Sequence, residues 1–116
     1  MNILKPLAVI ILMAGPAVAQ DHSGHTMQGA MSGHMAAMDK MMNSMDGMET
    51  TGNADADFLI MMIPHHQSAI DMAEVELEHG TDADTREMAQ QIIDAQKGEI
   101  AEMKAMLQRM GVEVPE

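Results

Sequence analysis

Methionine and histidine are the residues of this sequence whose types and numbers could do chemistry. The 116-residue chain contains 17 methionines and 6 histidines but no cysteine, and Phe58 is its only aromatic hydrocarbon ring. Thioethers are soft, neutral donors that suit Cu(I) and Ag(I) much better than Zn(II), Mg(II) or Ca(II). They also form no disulfides, so they stay available in an oxidising compartment. The composition therefore favours binding of soft metal ions.

One group of soft donors recurs at intervals of three residues before residue 50. We name this group the methionine arm, and its members are Met35, Met38, Met41, Met42, Met45 and Met48, with His34 beside them. His22 and His25 lie upstream in a segment that is predicted to be flexible, and they are further candidate copper ligands. Residues three or four apart lie on one face of a helix, so the methionine sets can converge on an ion. Methionine also serves as an adaptable core filler. Few other hydrophobic residues accompany these methionines, however, so the arm is predicted to bind Cu(I).

A second group of soft donors surrounds Pro64. Its members are Met61, His65 and Met72 on one flank of a predicted helix, and Met62 and His66 on the apolar face. A lone buried histidine is more often a satisfied core group than a ligand. Two adjacent histidines flanked by methionines favour copper ligation, because imidazole suits copper.

Two polar residues, Gln96 and Glu99, interrupt the apolar face of the following predicted helix. Buried polar groups need hydrogen-bond partners. We therefore expect Gln96 or Glu99 to bind the imidazole of His65 or His66 and to fix its tautomer, as the neighbours of metal ligands do. A purely structural pair between these side chains is the alternative interpretation.

The first nineteen residues have the pattern of a signal peptide. Lys5 supplies a positive charge, residues 7–14 are apolar, and Ala17-Val18-Ala19 is a small-x-small cleavage site. The apolar run is too short to span a bilayer, so an uncleaved membrane anchor is the weaker interpretation. We expect cleavage after Ala19 and export to the periplasm.

Cleavage at this position would create a further copper site. The mature chain would begin Gln20-Asp21-His22. A free amine, two deprotonated amides and an imidazole at the third position form a square-planar nitrogen set, which Cu(II) and Ni(II) favour. A cut one residue away, or cyclisation of Gln20, would remove this site.

The charge of the chain excludes some partners. The formal net charge is −12, whereas nucleic acids and anionic lipids are bound by basic patches. An acidic surface suits cations, although it is also a common means of solubility. No segment after the first nineteen residues is apolar enough to span a membrane.

The remaining sequence predicts an all-α protein with one domain. No strand-like alternation occurs, and the predicted fold is a long antiparallel helical hairpin preceded by a short methionine-rich helix over residues 33–48. The predicted divisions are a signal peptide (1–19), a flexible tail (20–32), a methionine-rich segment and linker (33–53), the hairpin (54–111) and a C-terminal tail (112–116).

The first helix of the hairpin is predicted over residues 54–78. Asn53 or Asp55 can cap its start, and Pro64 should kink the helix or make it begin anew. Its predicted inner face is Phe58, Leu59, Met62, Ile63, His66, Ala69, Ile70, Ala73 and Leu77.

The second helix of the hairpin is predicted over residues 82–110. Gly80 suits a left-handed position after the first helix, Thr81 or Asp82 can cap the second, and Gly111 ends it. Its predicted inner face is Met88, Ala89, Ile92, Gln96, Glu99, Ile100, Met103, Met106, Leu107 and Met110.

Two segments of the hairpin resemble the signature of the domain-of-unknown-function 305 family. They read Phe58-Leu59-x-x-Met62-Ile63-x-His65-His66-Gln67-x-Ala69-Ile70-x-Met72-Ala73 and Ala89-x-x-Ile92-Ile93-x-Ala95-Gln96-x-x-Glu99-Ile100-x-x-Met103. Members look like ferritin-like helical bundles, and some are periplasmic copper-binding proteins linked to copper resistance. The resemblance implies a ferritin-like bundle whose candidate ligands are Met62, His65, His66, Met72 and Met103. Met106 stands where many members carry an aromatic residue, so it is a further ligand or a smaller filler.

The sequence leaves three functions open. We expect a non-enzymatic protein that binds copper, mainly Cu(I) with Cu(II) or Ag(I) as alternatives, and that exchanges it with copper exporters or chaperones. A ferritin-like di-metal oxidase needs two Glu-x-x-His motifs, and the chain offers one such spacing, Glu76 to His79. A methionine-rich interaction module without metal explains the methionines but not the histidines. A homodimer would complete a bundle that has few large apolar residues.

Overall fold

Three α-helices make up most of the described chain. The computed structural model describes residues 23–115, with α1 at Ser23–Met45, α2 at Ala54–His79 and α3 at Ala83–Arg109, and no strand occurs within that range. The predicted all-α helical bundle is thus confirmed. The predicted signal peptide, the predicted Cu(II) site with His22, and the side chain of His25 lie outside the described part of the protein.

The first helix begins ten residues earlier than the sequence predicts. Residues 23–32, which were expected to belong to a flexible tail, are helical. Two glycines of α1 allow close packing on α2: a Cβ added at Gly29 would lie 3.2 Å from Cε1 of His79, and one at Gly33, the next residue after this segment, would lie 2.8 Å from Cγ2 of Val75. Composition predicts flexibility here, because the same small residues that permit close helix contact also lower helix propensity.

The end of α1 also differs from the prediction. The helix ends at Met45, and Gly47 follows with a φ of +75°. The expected helix over residues 33–48 is therefore too long at this end, and Met48 lies outside α1. A salt bridge of 3.1 Å between Lys40 and Asp71 holds the second half of α1 to α2.

The second helix starts where the sequence predicts. The Asn53 side chain caps it by accepting hydrogen bonds from the backbone N–H groups of Asp55 and Ala56 at 3.0 and 3.3 Å. The carboxylate of Asp57 accepts hydrogen bonds from Thr50 and Thr51, which lower the pKa of Asp57 below its usual value. These contacts fix the linker between α1 and α2.

The second helix is continuous through Pro64 and does not begin anew there. Proline removes one backbone hydrogen bond and crowds the preceding turn. Packing against α3 compensates on both sides of the proline, because Ile63 and Ile70 each belong to a buried cluster that contains α3 residues.

The turn between α2 and α3 departs from the expected glycine cap. Gly80 has a φ of −72° and a ψ of 150°, which is extended and not left-handed. A glycine is needed for space, since an added Cβ would overlap the Glu76 carboxylate and lie 2.7 Å from the Glu76 carbonyl oxygen. Arg86 donates to the carbonyl oxygens of Leu77 and Gly80, which satisfies the end of α2. Asp82 then caps α3, and Gly111, with a φ of +70°, follows its end as predicted.

A narrow seam joins α2 to α3. The positions that face the partner helix recur at alternating intervals of three and four residues, as in a coiled coil. In α2 they are Ala56, Leu59, Ile63, His66, Ile70, Ala73 and Leu77; in α3 they are Ala89, Ile93, Gln96, Ile100, Met103, Leu107 and Met110. We name these residues the hairpin seam.

The buried face is narrower than the predicted one. Phe58, Met88, Ile92 and Met106 were expected on the inner faces but are exposed, at 60%, 61%, 36% and 37% of their surface respectively. A single neighbouring helix covers only a strict heptad stripe, whereas the wider apolar arc needs neighbours on two sides. Side chains next to the seam are therefore left at the surface.

The first and third helices do not pack closely on each other in the described part of the chain. Within residues 23–115, α1 and α3 each pack on α2, and no Cα atoms of α1 and α3 come within 8 Å of each other. Two grooves consequently open between them, on different faces of α2. No helix of the described residues is sufficiently long and apolar to cross a membrane.

Alanine substitutions at two helical glycines, Gly33 and Gly98, test whether close contact with α2 holds α1 in place. A Cβ at Gly98 meets nothing within 4 Å, so Gly98→Ala should raise the free energy of unfolding by about 0.5–1 kcal/mol through helix propensity. Gly33→Ala should raise the free energy of unfolding by less, or should lower it, because the Val75 side chain must move to admit the added Cβ. Urea unfolding followed by circular dichroism measures both. An equal gain for the two variants would contradict the close packing of α1 on α2.

Candidate metal-binding sites

The methionines of this protein are largely a surface feature. Of the fifteen methionines from Met27 to Met110, only Met103 is buried. Ten of the twelve large hydrophobic residues that are exposed in the described part are methionines, so the thioethers are not serving mainly as core filler. Methionine is placed where a soft ion in solution could reach it.

One line of thioethers runs along the outer side of α1. We name it the methionine stripe, and its members are Met27, Met31, Met35, Met38, Met42 and Met45. At 100° per residue these positions fall within an arc of about 80°. The small residues Gly29, Gly33 and Ala37 lie roughly opposite and face α2. The amphipathic pattern of α1 is therefore reversed, with its small residues inside and its methionines outside.

The stripe offers neighbouring sulfurs along its whole length. Successive members are three or four residues apart, which brings their side chains together on the helix surface. Met27, Met31 and Met42 are the most accessible, at 72%, 62% and 62% exposure. Two or three adjacent thioethers can therefore share one monovalent soft ion.

Two members of the predicted arm lie elsewhere. Met41 and Met48 line a groove of about 450 Å³ beside Pro64 and Lys104. The structure therefore groups these methionines differently from the predicted spacing of three residues. The helix period places Met42 and Met45 in the stripe with Met35 and Met38, and it leaves Met41 outside the stripe. His34, which was predicted to act with the arm, lines the other groove.

The His66 imidazole lies in the hairpin seam between two hydrogen-bond acceptors. Its Nδ1 is 2.9 Å from the carbonyl oxygen of Met62, and its Nε2 is 2.6 Å from a carboxylate oxygen of Glu99. The His66 side chain is 10% exposed and that of Glu99 is 54% exposed. Of the two polar candidates on α3, Glu99 is the one that reaches the ring.

These two contacts limit the ability of His66 to bind a metal ion. A carbonyl oxygen only accepts, so Nδ1 must carry a proton and donate it. The short contact from Nε2 to the carboxylate then needs a further proton between those two atoms. Both ring nitrogens are engaged, and no lone pair is left for a metal ion unless one hydrogen bond breaks. The pair fastens α2 to α3 across the polar part of the seam.

Gln96, the other polar residue of the seam, makes no such bond. Its Oε1 is buried and has no hydrogen-bond partner among the described residues. A buried carbonyl without a partner is unfavourable. Gln96 therefore supports neither histidine in this arrangement.

The other residues predicted around Pro64 separate into different environments. His65 and Met61 are both exposed and lie one turn apart on α2, so they can act together. Met72 lies two turns, about 10 Å, beyond His65 and lines the groove with His34. Met103 belongs to a buried apolar cluster of the seam, and the partly buried Met62 packs against that cluster.

Carboxylates and histidines do not gather into a metal centre of their own. Among the side chains that the structure describes, no three from His, Cys, Asp and Glu lie close enough to hold one ion. The Glu76–His79 spacing illustrates this: the Glu76 carboxylate turns toward Gly80, while the His79 ring packs beside Gly29. The donor groups that do lie together include thioethers.

These features define a class of protein: a three-helix, methionine-rich bundle with its soft donors at the surface. The chain belongs to the family described as "Domain of unknown function (DUF305)", whose sequence model matches residues 11–107. That match includes all of α1 and α2 and nearly all of α3. A search of curated proteins finds no match to the chain.

The pairing of His66 with Glu99 can be tested by stability. Glu99→Ala leaves Nε2 of a buried ring without its acceptor, and we expect the free energy of unfolding to fall by about 1–2 kcal/mol. Glu102→Ala is the matched control, because Glu102 is an exposed carboxylate on the same helix. Urea unfolding at neutral pH compares the two variants. Equal effects would show that the Glu99 carboxylate contributes nothing to the seam.

Proposed function

We propose that this protein binds Cu(I) and that the methionine stripe is its main exchange surface. The observation that supports this most is the exposure of five of the six stripe methionines, all but the half-buried Met45, on a helix whose inner side is built from small residues. A helix that only packed on α2 would bury its large apolar side chains. A helix that presents thioethers to solvent has them available as ligands.

The chemistry of the donors favours monovalent copper. Thioether sulfur is neutral and soft, so it binds Cu(I) and Ag(I) in preference to hard divalent ions. The net charge of −12 raises the local concentration of cations near the surface. Exposed thioethers on one helix also allow an ion to pass from one neighbouring set to the next.

Sequestration, trafficking or resistance would follow from such a surface. Accessible ligands let an ion be handed to a copper exporter or a chaperone without unfolding of the protein. An exported, periplasmic location is part of this proposal, and its support is the signal-peptide pattern that ends at Ala19. Outside the cytoplasm, methionine has the further advantage that it is not lost to disulfide exchange.

The exposed stripe also fits a second function, the docking of a partner helix. Contiguous apolar side chains at a surface mark interaction sites, and methionine adapts to varied partners. A second copy of the chain is one such partner. Leucine preserves apolar volume but removes the sulfur, so the two functions respond differently to the same substitutions.

A copper titration of a leucine variant tests the proposed function. We expect Met31→Leu, Met35→Leu, Met38→Leu and Met42→Leu together to weaken Cu(I) binding by at least roughly tenfold, which is about 1.4 kcal/mol. The helix content should stay unchanged, because leucine is a strong helix former. The measurement is competition with a Cu(I) chelator of known affinity under reducing, oxygen-free conditions.

A control variant separates a general loss of methionine from a loss of the stripe. Met106→Leu with Met110→Leu changes two methionines near the end of α3, away from α1, and should leave the titration as in the unchanged protein. Copper binding that is unaffected by the four stripe substitutions would contradict the proposal. Self-association of the metal-free protein that survives the four leucine substitutions would favour the docking function.

A further inference from the structure

A groove lined by residues from all three helices contains soft donors that the sequence assigns to separate groups. We name it the three-helix groove; its volume is about 300 Å³. His34 of α1, Met72 of α2 and Met88 of α3 line it together. No Cα atoms of α1 and α3 come within 8 Å of each other, so it is in this groove over α2 that long side chains from the two helices can approach each other.

The His34 ring has a nitrogen suited to a ligand. Its Nδ1 is buried and has no hydrogen-bond partner among the described residues. Buried polar atoms normally have a partner, and an exception needs an explanation. In the tautomer that carries its proton on Nε2, Nδ1 keeps a lone pair for a metal ion. This is the opposite of His66, whose nitrogens are both engaged.

The walls of the groove favour a soft monovalent ion. Ala69, Ala73 and Ala89 contribute small apolar surfaces, which offer no competing hard ligands. Glu76 also lines the groove, but its carboxylate turns toward Gly80, so the lining of the groove is almost entirely apolar. Two thioethers and one imidazole form a donor set that suits Cu(I) or Ag(I).

We propose that His34, Met72 and Met88 form a separate site for one Cu(I) ion that links the three helices. This inference rests on the proposed copper function and adds a structural site to the exchange surface of the stripe. An ion held by three helices binds only the folded arrangement, so it must stabilise that arrangement. Ions bound to the methionine stripe contact α1 alone, so their binding does not stabilise the arrangement of α1 relative to α3.

The test uses Ag(I), a redox-inert probe with the same ligand preference, on the full chain expressed with methyl-labelled methionine. One equivalent should shift the methyl resonances of Met72 and Met88 together and raise the Tm. Met88→Leu should abolish the Met72 shift and remove at least half of the Tm increase. Met106→Leu, the matched control, changes a methionine on the same helix that is exposed but does not line the groove, and it should retain both effects.

A second variant and a circular dichroism measurement distinguish loss of the metal site from loss of the fold. His34→Asn should also abolish the Met72 shift, and circular dichroism of the metal-free variants should remain that of the unchanged protein. If Ag(I) and Cu(I) still bind to the stripe but Met88→Leu behaves as Met106→Leu does, the groove site is overturned and the proposed function stands. If neither ion binds the unchanged protein, both proposals fail.

Discussion

The hairpin seam covers only a narrow part of α2 and α3, and this constraint determines where the methionines lie. Strict heptad spacing buries one side chain per turn or fewer on each helix, and Met103 is the one buried methionine in the described chain. Side chains beside the seam, such as Phe58 and Met88, remain exposed. A wider covering layer would have buried the soft donors, whereas this arrangement leaves them available.

The two flanking helices use α2 in different ways. α3 makes a coiled-coil contact that includes aliphatic clusters and the His66–Glu99 hydrogen bond. α1 makes a close contact through Gly29, Gly33 and Ala37, supported by the Lys40–Asp71 salt bridge. An exposed salt bridge adds little stability, so the docking of α1 depends mainly on close packing. α1 is accordingly the helix whose position a bound ion can most readily stabilise.

The histidines show how hydrogen bonding divides similar side chains between structural and chemical roles. His66 is buried with two acceptors and serves the seam. His65, its neighbour in sequence, is exposed beside Met61. His34 lines a groove that also contains thioethers, and its buried Nδ1 has no hydrogen-bond partner among the described residues. The availability of a lone pair distinguishes these three residues.

The local ends of the hairpin helices could be predicted from single residues. Asn53, Asp82 and Gly111 act where short-range rules place them, because a cap depends on its own neighbours in sequence. Two other predictions were wrong for tertiary reasons: the start of α1 depends on contacts with Val75 and His79, and the extended Gly80 depends on the position of Glu76.

Only part of the candidate sites could be predicted from the sequence, for a similar reason. The Glu99 partner of a histidine followed from polarity within an apolar face. Met88 was placed on the inner face, and its position in a groove shared with His34 and Met72 depends on how three helices meet. The three–four spacing from Ala89 to Met110 was readable in the sequence and would have placed Met88 outside the seam.

The most direct test of the proposed thioether ligation is X-ray absorption spectroscopy at the copper edge of the protein loaded with Cu(I). We expect a low-coordinate Cu(I) ion whose nearest shell is dominated by sulfur, with a smaller contribution from imidazole nitrogen. Since the chain has no cysteine, sulfur in that shell must come from methionine. A shell composed only of nitrogen and oxygen would contradict the claim that thioethers hold the metal.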